Sequence, residues 1–225
     1  MAPSLKLNNS YLVLGITTDI GKSFLVENLC WVFLKKHIPV NAIKPIASGF
    51  SDDDLKSDSA RILKALNKEI SLKNINKITP WRFKEAISPH FAAKLNNSEI
   101  DFLELVNFCK KNISESKTIG QTLFIESAGG LMTPINDHKT FLDLAFELEI
   151  PVLLLGANYL GAISQTLCAL EALKNRQIFV EKIIINDDLY KPHPNSTDKL
   201  IETIENFSKI KTVTLKNFIN DWHYN

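Results

Sequence analysis

Residues Gly15 to Ser23 read G-I-T-T-D-I-G-K-S and stand between an apolar run, Tyr11 to Leu14, and a helical pattern that begins near Lys22. A loop of this composition restricts the chain to a narrow set of α/β folds. Its backbone N–H groups and the N-terminus of the helix it opens must converge on one anion. The Lys adds charge and the Ser hydroxyl reaches Mg²⁺, so the segment predicts binding of a nucleoside triphosphate. A G-K-S triplet can also be an incidental lysine at a helix start. The strand before it and the helix after it favour the phosphate reading. The usual G-x-x-x-x-G-K-[ST] spacing would put the first glycine at position 16, whereas here Gly15 comes one residue early.

Apolar runs recur at Tyr11 to Leu14, Val40 to Ile43, Thr122 to Ile125, Pro151 to Leu155, Lys182 to Ile185 and Thr212 to Leu215. They are continuous rather than alternating, as in strands buried on both faces. Helical patterns fall at Ser23 to Lys36, Ser57 to Leu66, Pro89 to Leu95, Asp101 to Lys111, Thr140 to Glu149, Ala162 to Asn175 and Asn195 to Phe207. This alternation predicts an α/β fold, a doubly wound, mostly parallel sheet of P-loop NTPase type with helices on both faces. The expected organisation is one nucleotide-binding domain over residues 1–225, with ligands beyond the carboxyl ends of the strands. The acidic patch Ser51 to Asp54 and the stretch Leu66 to Ile78 read as solvated loops.

A chain of 225 residues suffices for one α/β domain with a sizeable core and is short for two. With 26 basic against 25 acidic residues it carries no overall electrostatic footprint for nucleic acid or an anionic membrane, so a small-molecule partner is expected. The cysteines Cys30, Cys109 and Cys168 fall within helical patterns without C-x-x-C spacing, which predicts core packing. Residues Met1 to Ser10 lack a long apolar segment, and no stretch approaches the roughly 18 apolar residues of a membrane span. A cytoplasmic protein is expected. His37, His90, His138, His193 and His223 show no zinc-binding spacing.

Further chemistry collects at strand ends. Lys44-Pro45-Ile46-Ala47-Ser48-Gly49 brings a Lys and a Ser toward the phosphate loop. The Lys is either a solvated charge or a fixed ammonium for a transferring phosphoryl group. Ser57-Asp58-Ser59 opens the next helix, as an ordinary N-cap or with Asp58 reaching Mg²⁺. The run Leu123-Phe124-Ile125 leads into Glu126-Ser127-Ala128-Gly129-Gly130, where a strand-end carboxylate faces either solvent or a metal. Ser23, Asp58 and Glu126 together would offer Mg²⁺ an oxygen set with room for phosphate and water. Leu160-Gly161-Ala162 opens a helix, a possible anion site. Asn186-Asp187 ends a strand, as a turn or with an amide complementary to an adenine edge.

Taken together, these segments resemble the dethiobiotin synthetase family, ATP-dependent enzymes that close the ureido ring in biotin synthesis. The family's loop is G-T-D-T-x-V-G-K-T, with the same early glycine. Lys44 to Gly49 matches its K-P-V-A-S-G, Ser57-Asp58 its N-S-D, Ser88-Pro89-His90 its S-P-H and Glu126 to Gly130 its E-G-A-G-G, with Thr133-Pro134 following at the same interval. The resemblance runs in order over about residues 10 to 190. It implies that Asp19, Ile20, Gly21, Lys22, Ser23 and Phe24 hold ATP phosphates, with Thr18 beside the transferred group. Ser23, Asp58 and Glu126 would hold Mg²⁺, while Ser127, Ala128 and Gly129 would lie against the nucleotide. Lys44 would be the catalytic lysine and Ser48 a substrate contact; Asn186 and Asp187 would meet the adenine. Leu160, Gly161, Ala162 and Ile163 would bind the substrate carboxylate across a homodimer interface. The substrates implied are 7,8-diaminononanoate, CO₂ and ATP.

The chain departs from the family at Thr17 for an Asp, Ser127 for a Gly and Ser164-Gln165 for a common Asn-His. At the tail, Val213-Thr214-Leu215-Lys216 stands where members carry a G-x-I-P segment and a further helix over the base. Two rival functions share the loop chemistry. A partition-type ATPase switch carries a second lysine near the loop's start, where this chain has Thr17. A cobyrinate-type amidoligase needs a glutaminase domain with a nucleophilic Cys, for which the chain has no room.

Overall fold

Continuous apolar strands are shielded from water only when both faces of their sheet are covered. That condition shapes the computed structural model, which describes residues 5–7, 9–51, 57–189 and 196–224, the last three by backbone alone. The elements in chain order are β1 Ser10–Gly15, α1 Lys22–Lys35, β2 Val40–Ile43, β3 Ile46–Ser48, α2 Asp58–Ala65, α3 Leu72–Ile78, β4 Trp81–Phe83, α4 Pro89–Leu95, α5 Phe102–Thr118, β5 Thr122–Glu126, α6 Phe141–Leu148, β6 Val152–Ala157, α7 Ala162–Asn175, β7 Val180–Asn186, α8 Thr197–Ser208, β8 Thr212–Thr214 and α9 Leu215–Tyr224.

Six strands form one parallel sheet in the order β2-β5-β1-β6-β7-β8. Strands β1, β5 and β6 are buried along their whole length, so both faces of the sheet's centre are covered. Phe124 of β5 stacks on Tyr11 of β1 and meets the Phe33 ring of α1 edge-on, at centroid distances of 6.0 and 5.7 Å. From β1 the chain crosses to β2 on one side; after β5 it crosses to β6 on the other. The carboxyl ends of β1 and β5 therefore flank the reversal of strand order, the place where such sheets open a ligand crevice.

The doubly wound parallel architecture is as expected, and β2, α4 and α7 keep the bounds read from the sequence. Several local expectations are corrected. Leu66 to Ile78 is not all loop, because α3 forms within it and buries Ile75 and Ile78. Helix α5 runs on to Thr118, its buried stripe of Leu105, Cys109 and Ser116 continuing past Lys111. Strands β3 and β4 pair as a small second parallel sheet that no apolar run announced. Cys30 and Cys109 are buried, and burial pushes the Cys109 thiol up to about 12, but Cys168 lies exposed on α7. Residues 52–54 of the acidic patch and Asn195, the expected start of α8, lie outside the described residues.

The tail does form a helix. Helix α9 packs against α1 and β7, with Leu215, Phe218 and Ile219 buried. Phe218 is 1% exposed, so its truncation removes a filled part of the core. Phe218→Ala is expected to destabilise the protein by about 3–5 kcal/mol. Urea unfolding of the variant beside the parent measures this; a change below about 0.5 kcal/mol, the scale of surface substitutions, would mean that α9 is not part of the core.

Candidate functional site

The loop after β1 takes its form from two glycines. Gly21, the N-cap of α1, has φ +103°, where a side chain is strained, and a Cβ there would lie 2.7 Å from the Asn186 amide nitrogen. A Cβ on Gly15 would meet Ile20 Cγ2 at 2.8 Å and the Thr17 carbonyl at 2.9 Å, because the loop folds back over its own start. The early glycine is thus a consequence of how the loop closes. Lys22 Nζ donates to the Thr17 carbonyl at 3.2 Å, and Ile20 is fully buried beneath. Across the crevice, Leu131 N–H donates to the Gly15 carbonyl at 2.8 Å. A Cβ on Gly130 would stand 2.9 Å from the Ile16 carbonyl, so the loops after β1 and β5 touch backbone to backbone.

Between these loops lies a cavity of about 640 Å³. Thr18, Asp19, Ile20, Gly21, Lys22, Ser23, Phe24, Lys44, Ser48, Asp58, Glu126, Ser127, Ala128 and Gly129 all line it, so most of the residues singled out in the sequence meet at one place. Ser88, Pro89, Thr133 and Pro134 complete part of the wall. The sequence reading missed Arg61, which lines the cavity from α2 and pairs with Glu27 of α1, Nε to Oε2 at 3.0 Å. The available signal was its position three residues after Asp58, on the same helix face.

Charge is concentrated on the cavity floor. Lys44, at the end of β2, is 7% exposed, and Glu126, at the end of β5, is 1% exposed. Lys44 Nζ donates to Glu126 Oε1 at 2.8 Å, to Ser23 Oγ at 3.3 Å and to Asp58 Oδ2. The Ser23 hydroxyl donates to Glu126 Oε1 at 2.5 Å. Burial pulls down on the Lys44 ammonium, but Glu126 and Asp58 outweigh it and hold its pKa above the ordinary lysine value. Burial pushes the Asp58 carboxyl up, yet Lys44 and Ser23 leave it below the usual carboxylate range. For Lys22, burial, with Lys44 nearby, brings the pKa to about 8 despite the attraction of Glu126.

Buried polar atoms without a partner also gather here. Ser48 Oγ, Glu126 Oε2 and Ser127 Oγ make no hydrogen bond among the described residues, a costly arrangement unless something else supplies one. Among the described residues no cluster of His, Cys, Asp and Glu reaches three members, so a metal here would rely on the Asp58 and Glu126 carboxylates with the Ser23 hydroxyl. That all-oxygen set suits a hard cation that keeps several waters or phosphate oxygens.

A second cavity of about 490 Å³ shares Gly21 and Phe24 with the first and is lined by Asn186, Asp187, Leu215, Ile219 and Asn220. Asn186 Nδ2 donates to the Ile20 carbonyl at 3.1 Å and its Oδ1 accepts from Asp188 N–H, so its amide braces the loop from behind. Leu160, Gly161, Ala162 and Ile163 line neither cavity. They sit at the start of α7, where Leu160 is 88% exposed and Ala162 is buried. No helix among the described residues is long and apolar enough to cross a membrane.

A family model described as an AAA domain matches residues 9–215. The ATP-dependent dethiobiotin synthetase of Methylobacterium nodulans is 33% identical over 193 residues, covering 84% of this chain and 85% of its own length. That of Francisella tularensis subsp. novicida is 34% identical over 205 residues, 91% of this chain and 88% of its own. Among solved structures, a ParA family ATPase from Chlorobium tepidum superposes with a TM-score of 0.54 at 13% identity, over 95% of this chain and 89% of that one. The MinC:MinD complex of Aquifex aeolicus gives 0.53 at 14% identity, over 95% and 86%. These two likenesses establish the P-loop NTPase fold alone.

The Lys44–Glu126 pair is deep enough that removing one member leaves an uncompensated charge. Lys44→Met is expected to cost about 3–5 kcal/mol at neutral pH, read from denaturant unfolding. A loss under about 1 kcal/mol would mean the carboxylates find water instead. Because the Asp58 pKa is depressed in the folded state, its contribution is full above the ordinary value of 3.8 and is lost as pH falls below it. Asp58→Asn should therefore flatten the acid limb of the stability profile.

Proposed function

The chain belongs to the ATP-dependent dethiobiotin synthetase family, and from that premise we propose that it is an ATP- and Mg²⁺-dependent cyclo-ligase that joins CO₂ to 7,8-diaminononanoate, closing the ureido ring of dethiobiotin. The observation that carries this reading is the buried Lys44 ammonium, held among Ser23, Asp58 and Glu126 on the floor of the phosphate-loop cavity. Phosphoryl transfer relies on positioning and on positive charge beside the phosphates, and a lysine on this cavity floor can supply that charge.

One substrate amine adds to CO₂ and loses a proton, giving a carbamate. A carbamate oxygen attacks the γ-phosphorus of ATP, releasing ADP and leaving a carbamic-phosphoric anhydride. The neighbouring amine then attacks the carbonyl carbon; phosphate departs, the amine's proton is lost and the ring closes. The loop N–H groups from Asp19 to Phe24, with Lys22, orient the phosphates, and Thr18 stands beside the transferred group. Lys44 stabilises charge on the phosphoryl oxygens as they pass between donor and acceptor. Ser23, Asp58 and Glu126 would hold Mg²⁺, which offsets phosphate charge when bound. The Ser48 and Ser127 hydroxyls, buried and unpartnered among the described residues, would turn to substrate and nucleotide respectively. Asn186 and Asp187, in the second cavity, would meet the adenine. The exposed turn Leu160 to Ile163 would take the substrate carboxylate across a homodimer interface, in a cytoplasmic enzyme.

Lys22→Ala is expected mainly to weaken ATP binding, and Lys44→Ala mainly to lower kcat, since the second charge is assigned chiefly to the transition state. Equal losses of nucleotide affinity, measured by calorimetry, would contradict the division. The chemistry itself is tested with ¹⁸O-bicarbonate under brief incubation that limits exchange with water. A carbamate oxygen that attacks phosphorus leaves with it, so released phosphate should carry up to one bicarbonate-derived oxygen per turnover. Simple ATP hydrolysis would put a water oxygen there instead. Ring product accompanied by unlabelled phosphate would overturn the anhydride route.

A further inference from the structure

We propose that the Lys44 ammonium is the resident cation of the metal site: in the nucleotide-free protein it occupies the oxygens meant for Mg²⁺, and ATP phosphate admits the metal by drawing the ammonium away. The inference rests on the reading of Ser23, Asp58 and Glu126 as the metal's holders.

An ammonium has three N–H donors. All are spent here, on Ser23 Oγ at 3.3 Å, Glu126 Oε1 at 2.8 Å and Asp58 Oδ2. These are the oxygens a hard divalent ion would choose, and two cations cannot share them without strong mutual repulsion in so buried a place. The site is also one partner short, because Glu126 Oε2 is buried with no hydrogen bond among the described residues. A monovalent ammonium therefore leaves this group of oxygens incompletely satisfied. The Lys44 backbone is fixed at the strand end, its N–H donating to the Ile78 carbonyl at 3.1 Å, so the exchange requires side-chain rotation alone. Its side chain lines the same cavity as Lys22 and the phosphate loop, and rotation would carry the charge onto a bound phosphate. Metal affinity is thereby coupled to nucleotide: without phosphate the ammonium has nowhere better to go, and with it the carboxylates are released to the metal.

The test uses Mn²⁺ in place of Mg²⁺ and reads the free-ion electron paramagnetic resonance signal during titration of the nucleotide-free protein. Lys44→Met, similar in length but uncharged, is expected to bind Mn²⁺ at least 10-fold more tightly than the parent. Glu126→Gln in the same chain should abolish the gain. Lys44→Arg, which keeps a cation in place, should resemble the parent. Mn²⁺ should also raise the Tm of the Met variant and leave that of the nucleotide-free parent unchanged. If the Met variant does not fold, Lys44→Gln, whose amide can still donate to Glu126, serves the same comparison. A parallel titration with a non-hydrolysable ATP analogue separates the two readings. Parent protein that binds Mn²⁺ with the analogue, beside an uncharged variant no tighter than the parent without it, would overturn the exchange and leave the metal site standing. No Mn²⁺ bound by parent or variants even with the analogue would remove the metal site, and the exchange with it.

Discussion

Everything in the cavity depends on a contact that involves no side chain, the backbone of the β5 loop resting on the backbone of the β1 loop. Leu131 N–H holds the Gly15 carbonyl, and the absent side chain of Gly130 lets Ile16 come close. The approach brings the end of β5, and Glu126 with it, within reach of Ser23 at the start of α1. Any Cβ at Gly130 would push the loops apart at the point where their charges must meet. The parallel sheet supplies the rest by aligning the carboxyl ends of β1, β2 and β5 on one edge.

The charged floor shows how folding and chemistry oppose one another here. Much of what a buried lysine and carboxylate gain from their attraction offsets the loss of their water, and an apolar pair of similar volume is often as stable. The protein nonetheless keeps Lys44 and Glu126 buried, along with three cavity oxygens that have no partner among the described residues. The mostly apolar strands β1, β5 and β6, buried along their whole length, supply hydrophobic burial that offsets such a site. The core thus carries the cost of a cavity floor pre-arranged for anions.

The fold's central layer was legible because a continuous apolar strand and an amphipathic helix each leave a pattern at their own period. Helix α4 was bounded by Ser88 and the proline at its first turn, and α7 by Gly161 in a left-handed cap. Strands β3 and β4 left no such pattern, since each has only three residues and exists by pairing with the other. Helix α3 is mostly polar and is held by Ile75 and Ile78, too few anchors to show a period. Within the site, the strand-end residues Lys44 and Glu126 were legible because parallel topology forces strand ends together. Arg61 had only its spacing from Asp58 to mark it, and its pairing with Glu27 appears only once α2 packs against α1. Cys168 was misjudged because an apolar neighbourhood in sequence does not say which way a helix turns.

The second cavity has walls from opposite reaches of the chain, Gly21 and Phe24 beside the first strand and Leu215 and Ile219 in the last described helix. A molecule lodged there would act as a reversible staple, closing one very long loop without a covalent bond. The unfolded chain could bind such a molecule only by closing that loop, so the molecule would favour the folded state to the extent of its affinity and concentration. Occupancy and resistance to unfolding would then rise together, and a protease would find the filled protein a poorer substrate than the empty one.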